Sequence, residues 1–180
     1  MTRRSFSLSS FAVGALAACT RAIGGANADA PSGAAPQPGF PELPADPPDI
    51  SPLVKSEGEW KAVLDAQGFH VLRNKGTERA FSGRYWNNHA DGTYVCAGCA
   101  LHLFDAADKF ESGTGWPSFT RPVHANRVKI GRDDTLGMSR DEVTCARCDG
   151  HLGHVFDDGP APTGQRFCMN SVSLVFRAKA

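Results

Sequence analysis

The chain has 180 residues, with 19 basic and 19 acidic side chains, so its formal net charge is zero. That balance argues against a nucleic-acid binder, which needs a positive electrostatic footprint. Six cysteines in a chain that is 41% hydrophobic suggest a globular domain whose thiols have a chemical task.

Met1-Thr2-Arg3-Arg4-Ser5-Phe6 is a charged start with a twin arginine, and a run of small apolar residues follows from Phe11 to Ala18. The run is far short of the roughly 20 apolar residues of a membrane span, so it reads as part of an export signal. Arg3-Arg4 followed by Ser-Phe-Ser-Leu suggests the twin-arginine type, which carries folded proteins. Residues 1–30 are therefore assigned to an export signal, and the protein to the periplasm. Two processing points stay open. Leu16-Ala17-Ala18-Cys19 resembles a lipobox, which would make Cys19 a lipid anchor, and Ala28-Asp29-Ala30 has the form of a cleavage site.

Residues 31–52 carry prolines at 31, 36, 38, 41, 44, 47, 48 and 52 among alanines and glycines. Such a stretch buries too little apolar surface to offset its ordering entropy and reads as an extended linker. Residues 53–180 remain, near neutral in charge and enough for one domain with one core.

Within that domain Ser56-x-x-Glu59 has capping-box spacing, and Trp60, Val63 and Leu64 follow on one helical face. A short amphipathic helix is expected over 56–67, ended by Gly68, with Trp60 in the core. Beyond it the runs are short and strand-like: 69–72, 93–96, 127–130, 142–145 and 172–176 are rich in β-branched or aromatic residues. No second helix shows comparable periodicity. The expected fold is mainly β, with antiparallel sheets behind a short N-terminal helical segment.

Two Cys-x-x-Cys motifs, Cys96-Ala97-Gly98-Cys99 and Cys145-Ala146-Arg147-Cys148, end two of those strand-like runs. Four thiolates in two close pairs complete a tetrahedral zinc site with no position left for substrate. Two disulfides, a redox pair or iron in the same cage are the alternatives. Cys168 is then a separate thiol. In a strand, Arg166, Cys168 and Asn170 share a face and Phe167 and Met169 point to the core. A guanidinium and an amide beside the sulfur would favour thiolate. His151 and His154, with Asp157 and Asp158 just downstream, are candidates for general-acid chemistry. Trp116 sits in the constrained loop Gly113-Thr114-Gly115-Trp116-Pro117, where a side chain can be presented to a ligand.

These segments, with Gly76-Thr77-Glu78, Ser112 to Phe119, His151 to Phe156 and Arg166 to Ser171 in consistent order, closely resemble the B-type methionine sulfoxide reductases. The resemblance runs from about Ser56 to Phe176. It implies a fold of two antiparallel sheets with one structural zinc on Cys96, Cys99, Cys145 and Cys148. It also implies a monomer that reduces the R epimer of methionine sulfoxide in oxidised proteins and peptides, drawing electrons from a thiol reductant such as thioredoxin. By the same resemblance Cys168 is the nucleophile and Trp116 packs against the substrate's S-methyl group. His151 and His154, supported by Asp158, help protonate the oxygen, and Arg166 and Asn170 tune the thiolate.

The chain departs from that pattern where many members carry a resolving cysteine. Thr114 stands at one such position and Ser82 at the other. Only Cys19 is left over, so recycling by an external thiol is expected. A zinc-ribbon binding module and a thiol–disulfide oxidoreductase are the competing functions.

Overall fold

Ser56 and Glu59 make both bonds of the capping box: the Ser56 hydroxyl accepts from the Glu59 N–H, and the Glu59 carboxylate accepts from the Ser56 N–H. They start α1 (Glu57–Val63) in a computed structural model that describes residues 50–179. The export signal, Cys19 and nearly all of the linker lie outside the described residues. Ile50 and Leu53 already pack on the core, and the Leu53 N–H donates to the Arg147 carbonyl at 2.7 Å.

The helical lead-in differs from the expectation. α1 stops at Val63, which is exposed, and Asp65 caps a second helix, α2 (Ala66–Asn74), by accepting from the Gly68 N–H at 2.6 Å. Gly68 therefore lies inside a helix rather than ending one. The stretch 69–72, expected as a strand, is its middle, with Val71 and Leu72 buried. Its branched and aromatic content suggested β structure, but the aspartate cap and one buried stripe decide for helix. Lys75 closes α2 in the left-handed region at φ 55°.

The rest is β. Strands β1 (Gly92–Cys96), β2 (His102–Asp105) and β9 (Leu174–Ala178) form a three-stranded sheet in the order β2-β1-β9. Strands β3 (Lys109–Phe110), β4 (Ser118–Phe119), β5 (Val128–Asp133), β6 (Arg140–Cys145), β7 (His151–Phe156) and β8 (Arg166–Met169) form a six-stranded sheet in the order β3-β4-β8-β7-β6-β5. All pairings are antiparallel, as the sequence led us to expect. Phe104, Phe119, Phe167, Tyr94 and Phe176 interlock between the sheets, with the Phe104 and Phe119 rings stacked 4.5 Å apart. Phe167 and Met169 are buried in this core as the strand alternation required.

Candidate active site

The two Cys-x-x-Cys motifs fold into matching knuckles. Cys96 ends β1, accepts from the Ala100 N–H and donates to the Leu101 carbonyl; Cys145 ends β6, accepts from Asp149 and donates to Gly150. Ala100 and Asp149 each take positive φ, 62° and 56°, to turn the chain back. Arg147 donates to the Cys99 carbonyl and Arg73 to the Cys148 carbonyl, so each knuckle is tied to chain outside it. All four cysteines are buried, and their sulfurs lie within 4.8 Å of one another, with Cys96–Cys148 at 3.6 Å and Cys99–Cys145 at 3.5 Å. A tetrahedral zinc with Zn–S near 2.3 Å sets its sulfurs ~3.8 Å apart, so the donor set fits that ion. The described cysteines are free thiols, and the two hydrogen bonds between sulfurs run from one motif to the other.

Cys168 stands apart from this cluster at the centre of the six-stranded sheet. Its cross-strand partners are Ser118 on β4 and His154 on β7, so Ser118, Cys168, His154 and then Glu142 form one row on one face. On a regular strand His151 and His154, three apart, would face opposite sides. The register slips between Val143 and Thr144, opposite an extra residue on β7, and this bulge brings both rings to the same side. Their centroids are 5.3 Å apart.

The histidines have carboxylate partners that the sequence reading missed. His151 Nδ1 lies 2.8 Å from Glu142, whose second oxygen accepts from Lys75 at 2.7 Å. His154 Nε2 lies 2.8 Å from Asp133, which also accepts from Arg140 and from the Thr135 hydroxyl and N–H. Burial pushes the His151 pKa down more than Glu142 raises it, which favours the neutral ring, with its Nδ1–H donating to the Glu142 carboxylate and its buried Nε2 without a protein partner. Bonds from Thr135 and His154 hold Asp133 well below the usual carboxylate range.

Two expected neighbours are engaged elsewhere. Asp158 does not support the histidines; it pairs with Arg166 through two 2.8 Å bonds, and the guanidinium lies 4.4 Å from the Phe156 ring. The Asn170 amide is spent on backbone, donating to the Leu152 carbonyl at 3.1 Å and accepting from the Glu78 N–H at 3.0 Å. Glu78 ties three parts of the site together. Its carboxylate accepts from the Ser171 and Val172 N–H groups, and its carbonyl accepts from the Trp116 indole at 3.1 Å. Trp116 is half-buried and held by that bond two residues before β4, which pairs with β8. Cys168 is also half-buried. Burial raises its thiol pKa, and Thr114, Arg166 and Ser118 lower it without cancelling the rise. Arg166 thus pulls toward thiolate as expected, but burial outweighs it and the net direction is upward.

Fold and site together define a mainly β protein with a four-cysteine cage set apart from a fifth, half-buried cysteine. The SelR domain matches residues 64–178. Proteins called peptide methionine sulfoxide reductase MsrB are similar to this chain over most of its length. The one from Methanosarcina barkeri is 56% identical over 125 residues, covering 69% of this chain and 88% of its own. Those from Thiobacillus denitrificans and Pseudomonas putida GB-1 are 52% and 54% identical, covering 69% and 71% of this chain and 95% and 97% of theirs. The chain belongs to the SelR family of B-type methionine sulfoxide reductases.

Proposed function

We propose that the protein reduces methionine-R-sulfoxide in oxidised proteins and peptides to methionine, with Cys168 as the attacking sulfur. One observation carries this reading: the row Ser118, Cys168, His154 sets the half-buried thiol beside a histidine, within a wall that also fixes Trp116. Trp116 receives the S-methyl group. As the Cys168 sulfur attacks the sulfoxide sulfur, the thiol proton passes to the sulfoxide oxygen by way of His154, whose Nε2 is held by Asp133. The oxygen ends on Cys168 as a sulfenic acid and methionine leaves, so one thiol and one sulfoxide give one sulfenic acid and one thioether. His151, fixed by Glu142, offers its buried Nε2 to an ordered water. Arg166, locked by Asp158, supplies positive charge beside the sulfur, and Asn170 positions the end of β8.

Recycling runs through an external thiol, thioredoxin-like or otherwise. One thiol condenses with the sulfenic acid and releases water; a second cleaves the mixed disulfide and frees Cys168. The support is that Thr114, not a cysteine, stands 3.9 Å from Cys168 Sγ. Zinc on Cys96, Cys99, Cys145 and Cys148, one ion per chain, pins the knuckles together and enters no step of the reaction. The twin-arginine start supports export to the periplasm, and the lipobox-like Cys19 supports a lipid anchor there.

The test is to give the full chain one equivalent of a peptide Met-R-sulfoxide without reductant, then add a sulfenic-acid trap and map the adduct. The trap should sit on Cys168. A disulfide from Cys168 to Cys19 would overturn external recycling, and methionine formed with Cys168 unmodified would overturn its role.

A further inference from the structure

Between Cys168 and the Trp116 loop lies an unbroken line of hydroxyls that the reaction scheme leaves unused. Thr114 Oγ1 is 3.9 Å from Cys168 Sγ and 2.8 Å from Ser112 Oγ; Ser112 Oγ is 2.7 Å from Ser118 Oγ; the Ser118 hydroxyl reaches the Trp116 carbonyl at 3.4 Å. Ser112 also accepts the Thr114 N–H at 3.4 Å, and Ser118 is fully buried.

The bonds of this line can run in two directions. With Cys168 as a thiol, S–H donates to Thr114, Thr114 to Ser112, Ser112 to Ser118, and Ser118 to the Trp116 carbonyl. With Cys168 as a thiolate, every hydroxyl rotates about its C–O bond: Ser112 donates to Thr114 and Thr114 to the sulfur, while Ser118, which also acts on the sulfur, donates to Ser112 or to the sulfur itself. A hydroxyl is both donor and acceptor, so both charge states are satisfied without moving a heavy atom. No proton leaves the line, because a backbone carbonyl ends it.

We propose that the Ser118–Ser112–Thr114 hydroxyl line is a reversible positioning device that stabilises the Cys168 thiolate at the moment of attack, in the place of a second cysteine. This rests on Cys168 being the nucleophile. The ionisable groups facing Cys168 from the packed strands are Arg166 with Asp158 on its own side, and His154 with Asp133, His151 and Glu142 across β7. Residues 112–118 bring no titratable side chain, so the hydroxyls there act by hydrogen bonding alone. Ser112 is a positioning residue: its oxygen bonds Thr114 and Ser118, not the sulfur.

The test follows alkylation of Cys168 against pH in the zinc-loaded full chain, read on the Cys168 peptide by mass spectrometry. Ser112→Ala and Thr114→Val, which remove one hydroxyl each, should move the alkylation midpoint upward and slow the reaction near neutral pH roughly tenfold. Turnover of R-sulfoxide should fall with them and recover at higher pH. Thr114→Ser, which keeps the hydroxyl, should behave as the wild type. An unmoved midpoint in both Ser112→Ala and Thr114→Val would overturn the proposal, as would Thr114→Ser behaving like Thr114→Val. A wild type that alkylates as described but reduces no sulfoxide would sink the reading of the reaction and leave the hydroxyl line standing.

Discussion

Cys168 balances two opposing influences. Burial raises its thiol, while Thr114, Arg166 and Ser118 pull it down, and burial wins. In the proposed reaction a thiol held in its protonated form would resist indiscriminate oxidation and bring the proton for the sulfoxide oxygen. Cys168→Ser should abolish turnover while metal content and melting temperature stay at wild-type values; metal loss on that change would make Cys168 a ligand. The acid side of the stability curve is set by neighbours of the same site. His151 and Asp133 both have lowered pKa values in the folded protein, so the unfolded chain binds more protons than the folded one as pH falls. Their stabilisation is complete at neutral pH. The His151 part is lost below about pH 6.5 and the Asp133 part further down, through the carboxylate range. A melting temperature that falls from pH 7 to pH 5 in the wild type, and less steeply in His151→Gln, is the expected result. Cys168, Trp116 and the histidines stand out in the sequence as candidates because each sits in a short motif. Glu142 and Asp133 do not, because their pairing with the histidines is made by cross-strand register and tertiary contact rather than by spacing in sequence.

The elements hold the site through a few long-range ties. The Glu78 carboxylate accepts from two backbone N–H groups just past β8, and its carbonyl aims the Trp116 ring. Charge-assisted bonds of this kind contribute more than neutral ones, so Glu78→Gln should cost about 2 kcal/mol in chemical denaturation. It should also weaken substrate binding through a loosened Trp116; unchanged stability would mean the staple is idle. The first helix was readable from its capping box, whereas α2 was not, because Phe69, Val71 and Leu72 look like a strand when composition is weighed ahead of the Asp65 cap. Strands β2, β3 and β4 are two to four residues long and leave little periodicity to detect.

Across the whole molecule the four-cysteine cage joins β1 of one sheet to β6 of the other, so a bound metal clips together both layers of the fold. Cys99→Ser should lower metal content and melting temperature together, with activity lost as a consequence; a melting temperature that does not move would contradict a structural metal. That architecture was the most legible part of the chain, since two Cys-x-x-Cys motifs 45 residues apart already require distant segments to meet. The proposed reaction can be measured directly. The most direct measurement offers the zinc-loaded full chain a peptide methionine sulfoxide of each epimer, with a small dithiol as reductant, and follows methionine formed from each. Reduction of the R epimer alone is the predicted result; no reduction of either, or reduction of the S epimer, would contradict it.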